Sequence, residues 1–312
     1  MNRCLITGAS GFVGANLTRR LLHDGHEVHA LLRPEHQPWR LGDVTSLHRH
    51  SVDLTNPGEV QQAVRRIRPD WVFHLAAYGA YSSQTGFSRM VDINLNGTVS
   101  LLDACAETGV EAFIYTGSSS EYGYKDHPAR EDELLEPNSH YAITKAAATH
   151  YCQFVARKHD VNAIAVRLYS IYGPYEDPSR LLPTLIDHGL RGILPPLVSP
   201  ATARDFVYVD DAVDALICLA QSSPRRGAVY NLCTGVQTSL ATVVETARTL
   251  MRIPVEPVWS SMPQRSWDTD IWVGSPAAME TEIGWRASID FTTGLRRMID
   301  WSMSCQGEGR TA

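Results

Sequence analysis

Tyr141 and Lys145 stand four residues apart in the run Tyr141-Ala142-Ile143-Thr144-Lys145, a spacing that sets both side chains on one face of a helix. The pair suits proton transfer. A free phenol titrates at about 10, too high for efficient acid–base work near neutrality. An ammonium one turn away favours the phenolate and brings that value down. Alone, the string also describes an ordinary surface pair on a helix. Its place downstream of Ser118-Ser119-Ser120, a serine run that ends an apolar stretch, is what singles it out. A second group of residues answers a different chemical need. Cys4-Leu5-Ile6-Thr7 runs straight into Gly8-Ala9-Ser10-Gly11-Phe12-Val13-Gly14, and a helical pattern starts at once. Glycines let backbone approach a pyrophosphate closely, and a helix N-terminus offers free N–H groups and a positive dipole end. Together the two groups point to a bound dinucleotide and oxidoreductase-type chemistry.

These residues need a scaffold that brings them to one edge. Cys4–Thr7, Glu27–Leu32, Ser46–Val52, Trp71–Leu75, Ala112–Thr116 and Asn162–Arg167 read as strands. Between them lie helical patterns at Ala15–His23, Gly58–Ile67, Asn94–Thr108 and Tyr141–Lys158. This rhythm implies parallel βαβ units with right-handed crossovers, hence an α/β fold with a doubly wound parallel sheet of the Rossmann kind. Such sheets bind ligands at the carboxyl ends of their strands, and each motif falls there or on the helix that follows. After Tyr172 the texture changes, with Pro174, Pro178, Pro183, Pro195, Pro196 and Pro200 punctuating the chain. Asp205–Tyr208 and Ala228–Leu232 read as further strands around a helix at Asp211–Gln221, and a late helix covers Thr293–Met303. The division expected is a dinucleotide-binding domain over 1–170, joined by 205–232. A smaller, partly interleaved substrate lobe takes 171–204 and 233–312.

Composition narrows the partners. A chain of 312 residues with 44% hydrophobic and 20% charged residues is ordinary for a globular protein. Its formal charge of -6 argues against a nucleic-acid partner, which needs a concentrated basic face. The most basic stretch, Arg65-Arg66-Ile67-Arg68, reads as a solvated helix end. No apolar run approaches the roughly 18 residues of a membrane span. The six cysteines are scattered, without a Cys-x-x-Cys pair or a histidine at ligand spacing. Neither a metal site nor a disulfide framework is expected, and a reducing cytoplasm is the default address.

The glycine run and several later segments, in order, resemble the extended short-chain dehydrogenase/reductase family, most of whose members modify nucleotide-activated sugars. Ile6-Thr7-Gly8-Ala9-Ser10-Gly11-Phe12-Val13-Gly14 looks like the family's opening, and Val52-Asp53-Leu54 like its adenine-side aspartate motif. Arg68-Pro69-Asp70-Trp71-Val72-Phe73-His74-Leu75-Ala76-Ala77 matches its fourth strand, and Asn94-Leu95-Asn96-Gly97-Thr98 the following helix start. Arg204-Asp205-Phe206-Val207-Tyr208-Val209-Asp210-Asp211 resembles a signature of the substrate half. The resemblance spans residues 3 to 303, nearly the whole chain. It implies cofactor contacts from Gly8, Ser10, Gly11, Phe12, Val13, Gly14, Asp53, Leu54, Leu75, Ala76, Ala77 and Asn94, with Tyr141 and Lys145 at the nicotinamide end. It also supplies a third catalytic member. Ser118 stands four residues before Tyr122-Gly123, where relatives hold the reacting oxygen with a Ser or Thr.

The same segment separates reaction types. The family's 4,6-dehydratases carry an acidic pair, and its sugar-acid decarboxylases a glutamate, just before the Tyr-Gly. Here those slots hold Ser119 and Ser120, turn residues on the substrate side, and Glu121 comes one residue late. Eliminating water needs one group to take a proton and another to protonate the leaving hydroxyl, so dehydration is disfavoured.

The cofactor reading turns on the second strand, which ends Ala30-Leu31-Leu32-Arg33-Pro34. NAD-preferring relatives end it on an acid that binds the ribose hydroxyls. Leu32 takes that place, and the Arg33 guanidinium suits a 2′-phosphate by charge and fork geometry. NADP(H) is therefore favoured over NAD(H).

For the substrate, Arg204 and Arg265 resemble the family's diphosphate-binding arginines, and Ser170 stands where many relatives have an Asn. A nucleotide-diphosphate sugar is the expected substrate. Its expected reaction is reduction of a 4-keto-sugar, with a 4-epimerase as the alternative and a non-catalytic dinucleotide-binding regulator behind both. A homodimer formed through the helices at Asn94–Thr108 and Tyr141–Lys158 is implied by the resemblance.

Overall fold

The computed structural model describes residues 1–34, 39–81, 83–263 and 269–307. The chain opens on β1 (Arg3–Thr7), whose Cys4, Leu5 and Ile6 are wholly buried. An apolar run buried on both faces is what a central parallel strand requires. Five more strands follow in the first half: β2 (Glu27–Leu32), β3 (His48–Ser51), β4 (Trp71–His74), β5 (Ala112–Ser118) and β6 (Ala163–Leu168). Next come β7 (Ser170–Tyr172), β8 (Ala203–Tyr208), β9 (Val229–Leu232) and β10 (Gln237–Ser239). Seven strands form one sheet in the order β3-β2-β1-β4-β5-β6-β9, every neighbouring pair parallel. The direction of chain progress reverses between β1 and β4, which opens a crevice at their carboxyl ends.

Helices cover both faces. On one side α1 (Phe12–His23) and α7 (Val209–Gln221) bury Leu17, Leu21, Val213 and Leu216. On the other, α2 (Pro57–Ile67), α4 (Gly97–Thr108) and α5 (His140–His159) bury Val60, Val64, Leu101, Leu102 and Cys152. A short α3 (Phe87–Met90) leads into α4 through a π-helical turn, Val91–Asn96. The sequence pattern marks this helix only from Asn94. Turns of that kind concentrate at functional sites.

The smaller lobe holds a sheet ordered β10-β8-β7 and a separate apolar cluster. Around it stand α6 (Leu181–Leu190), α8 (Leu240–Met251) and α9 (Phe291–Gly307). Of the segment 205–232 expected beside the dinucleotide domain, β9 joins the large sheet, whereas β8 pairs only within the small one. The buried carboxylate of Asp205 ties the two together, accepting from Thr234 N–H at 2.8 Å, Thr234 Oγ1 at 2.7 Å and Gly235 N–H at 3.0 Å.

Candidate active site

The glycine run forms the turn from β1 into α1. Gly8 has φ +71°, and a Cβ there would lie 2.6 Å from the Ala76 nitrogen. A Cβ on Gly14 would lie 2.2 Å from the Gly8 carbonyl oxygen. Only glycine lets these segments close, which is why Gly8 meets Leu75-Ala76 across the switch point. Gly11 is the N-cap of α1 and supplies no side-chain cap. The first-turn N–H groups, from Phe12 and Val13 onward, therefore lack intrahelical partners, an arrangement that favours an anion. The residues present fit a dinucleotide pyrophosphate at this turn.

Arg33 and Asp53 follow β2 and β3 at the carboxyl ends of those strands. Asp53 accepts from the Thr55 N–H and hydroxyl, both at 2.9 Å. Those bonds, with the Arg89 and Arg33 guanidinium groups, hold its carboxyl below the usual range. Leu54 packs against Gly97 at the start of α4, where a Cβ would meet it at 3.4 Å. Asn94 sits in the π turn, buried, and accepts from Tyr78 N–H while donating to Tyr78 O (both 2.8 Å). It also donates to Thr144 Oγ1 at 2.9 Å, and so braces α5 beside the loop that carries Ala76 and Ala77.

At the other end stand Ser118, Tyr141 and Lys145. Ser139 caps α5 by accepting the Ala142 N–H at 3.2 Å, which fixes Tyr141 in the first turn and Lys145 one turn on. Ser118 ends β5 and caps the short helical turn Ser119–Tyr122. Its hydroxyl lies close enough to Tyr141 to favour the phenolate. Burial nevertheless wins: the phenol is pushed up to about 12, with the Glu121 carboxylate adding to the rise and Arg180 opposing it. On sequence grounds the Lys145 ammonium should bring the phenol down. In the structure that ammonium sits 4.4 Å over the Tyr115 ring and does not offset the burial. Lys145 is 1% exposed, and burial pushes it down to about 8.

Glu121 faces away from the crevice. Its Oε2 accepts from Arg167 Nε at 2.9 Å, and its Oε1 from the Ser118 N–H at 2.8 Å and Thr149 Oγ1 at 3.1 Å. The carboxylate thus links β5, α5 and β6 behind Ser118. The Ser118-x-x-Glu121 spacing of a capping box marks the bond to the Ser118 N–H, but nothing local marks the links to Thr149 and Arg167, which are distant in sequence.

The substrate-side residues are only partly gathered. Ser119 Oγ accepts from the Trp272 indole N–H at 3.1 Å, and the Arg204 guanidinium lies 5.5 Å from the Trp272 ring centre. Arg204 also donates to Ala203 O at 2.7 Å. Ser120 gives its N–H to Ser118 Oγ at 3.2 Å, and Ser170 begins β7, half-buried. Arg265 lies outside the described residues. Three residues that the sequence reading missed border this crevice. Trp272 closes it from the small lobe, and buried Arg40 donates to Ser10 O at 3.3 Å and Tyr175 O at 2.6 Å. Arg180 donates to Ala80 O at 3.0 Å.

A doubly wound sheet with a glycine turn at its switch point, and a Ser–Tyr–Lys set two strands further on, defines a dinucleotide-dependent enzyme of the extended short-chain dehydrogenase/reductase type. The chain belongs to the NAD dependent epimerase/dehydratase family, whose profile matches residues 4–233. It is 27% identical to a probable dTDP-glucose 4,6-dehydratase of Sinorhizobium fredii, over 96% of this chain and 92% of the relative. It is 28% identical to the GDP-6-deoxy-D-mannose reductase of Pseudomonas aeruginosa, over 98% and 99%. The UDP-glucose 4-epimerase of Thermus thermophilus, solved in complex with NAD, superimposes with a TM-score of 0.84 at 27% identity, covering 96% of this chain and 98% of that one. Three reactions share this scaffold. Among the described residues no helix is long and apolar enough to cross a membrane.

Proposed function

We propose that the protein reduces a nucleotide-linked 4-keto-sugar with NADP(H). The observation that carries this reading is the end of β2, where Leu32 replaces an acid and the exposed Arg33 follows. That guanidinium acts on the Asp53 carboxylate, and a 2′-phosphate bound beside it would need such a cation. A bound nicotinamide supplies the hydride. This chain's own residues manage the proton and the oxygen. Tyr141, kept protonated by burial, donates to the carbonyl oxygen of the substrate. Ser118 holds that oxygen by its hydroxyl, and the Lys145 ammonium favours the anion that Tyr141 becomes. Asn94, through Thr144, keeps α5 in place. Arg204 and Trp272 hold the nucleotide-sugar side.

A phenol that starts protonated suits reduction, which needs an acid first, better than oxidation, which needs a base first. The 4-epimerase reading is favoured by the likeness to an epimerase that holds NAD. Ser119 and Ser120, in place of an acidic pair, speak against dehydration. A homodimer through α4 and α5 is supported by the exposed apolar side chains Ile143 and Phe154 on α5.

The test is cofactor titration followed by turnover on a panel of nucleotide-linked 4-keto-sugars. NADPH should bind more tightly than NADH, and Arg33→Asp should reverse that order. Copurification of tightly held NAD that does not exchange during turnover would sink the reductase reading.

A further inference from the structure

Four residues on one face of the β2–β3 edge of the large sheet carry metal-ligating groups in an ordered array. Side chains two apart on a strand share a face, so Glu27 and His29 lie on one face of β2, and His48 and His50 on one face of β3. The parallel register sets His29 against His48, and the two rings stack with centroids 4.7 Å apart. Ligand atoms of Glu27, His29 and His48 all fall within 4.8 Å of one another. A fourth group steadies the middle one: His29 Nδ1 and His50 Nε2 are 2.9 Å apart. His29 is 8% exposed, while His48 stands open on the edge strand. The cluster occupies the amino-terminal part of β2, about 10 Å or more along the strand from Leu32 at the cofactor end.

We infer that Glu27, His29 and His48 form a site for a divalent transition-metal ion of the zinc class, distinct from the catalytic crevice. Two imidazoles and one carboxylate are a borderline donor set, suited to zinc rather than to magnesium or calcium. Tetrahedral zinc with nitrogen ligands at about 2.0–2.1 Å needs its donors roughly 3.3 Å apart. Exposed His48 and half-buried Glu27 can close that gap by side-chain rotation, with water filling the remaining position. The ion would pin edge strand β3 to β2.

Three neighbours bear on the cost. Arg3 pairs with Glu27 Oε2 at 3.3 Å and leaves Oε1 to His29 Nε2 at 2.8 Å. Coordination through Nε2 moves the His29 proton to Nδ1, which then donates to His50 Nε2. His50 in turn carries its own proton on Nδ1, so no proton is released from the pair. Arg66, which bonds His50 Nδ1 at 3.0 Å, must then turn out to water. It is exposed, so the motion is open to it.

Calorimetric titration of the full, untagged chain with zinc chloride tests the site, with metal content after dialysis read by mass spectrometry. One equivalent should bind, and His48→Ala or Glu27→Gln should each weaken it by roughly tenfold or more. His150→Ala, a surface histidine elsewhere, should leave binding unchanged. Arg66→Ala should bind zinc as well as the wild type or better. Cobalt should give the visible bands of a tetrahedral site in the wild type and lose them in His48→Ala. Failure of the wild type to bind, or equal binding by wild type and His48→Ala, overturns the assignment.

Discussion

Removing the Glu121 carboxylate tests how Ser118 is held. Glu121 and Arg167 form an ion pair whose side chains are 0% and 3% exposed. Glu121→Ala leaves the Arg167 charge buried without its partner, which typically costs about 3–5 kcal/mol. It also strips the Ser118 N–H and the Thr149 hydroxyl of an acceptor, and a buried donor left bare costs about 1–3 kcal/mol. These terms share one side chain and do not add in full. Arg167 keeps its bonds to the Tyr122 hydroxyl at 2.8 Å and the Glu131 carbonyl at 3.4 Å, so the lower half of the first range is the better figure. For a chain of this size each kcal/mol moves the midpoint by about 2–4 °C, giving a drop of about 10 °C. The measurement is denaturant and thermal unfolding followed by circular dichroism. The double variant Glu121→Ala/Arg167→Met, which removes both charges, should recover part of the loss, because no unpaired charge is left buried. A loss under about 1 kcal/mol in the single variant, or a double variant no more stable than the single, would refute the reasoning.

Three further outcomes follow from the same geometry. Tyr141→Phe should abolish turnover and leave dinucleotide affinity nearly unchanged, as read by steady-state kinetics and cofactor titration. Lys145 is pushed down to about 8, so its charge is present below that value and lost as pH rises through it; kcat should fall on that alkaline limb, and Lys145→Arg should carry the limb upward. Gly14→Ala places a methyl 2.2 Å from the Gly8 carbonyl oxygen, so the turn must open, and about two to three kcal/mol of strain on the bound form should weaken dinucleotide binding by a factor of about 30 to 160.

What is legible in the sequence is what local spacing dictates. The strand Glu27–Leu32 follows from one apolar run and appears with those bounds. The glycine turn is readable because the close approach of Gly8 and Gly14 admits no other residue. Two helices of the small lobe escape the pattern. Leu181–Leu190 contains Pro183, which reads as a breaker but sits in the first turn, where its missing N–H would have no partner anyway. Leu240–Met251 lies in a stretch to which the pattern assigns no element. The strand around Asp205–Tyr208 is readable but its sheet is not, since alternation reports a half-buried strand and not its neighbour. Trp272, Arg40 and Arg180 reach the crevice from outside the motifs, and placement of that kind is a tertiary property. The Glu27-x-His29 and His48-x-His50 pairs are visible as letters. Only the register of β2 against β3 makes them a cluster.

The i, i+4 spacing of Tyr141 and Lys145 correctly says that both lie on one helical face, but it carries no information about solvent. Desolvation penalises a phenolate and an ammonium alike. It drives the phenol up to about 12 and the ammonium down to about 8, so two values that are ordinarily close move apart. The group that changes charge near working pH is then the lysine, while the tyrosine stays protonated. Glu121 belongs in the same balance. Its carboxylate steadies the Lys145 ammonium and opposes the Tyr141 phenolate. The residue that anchors Ser118 from behind therefore also biases the pair towards the neutral phenol and charged amine, the state from which a proton is given rather than taken.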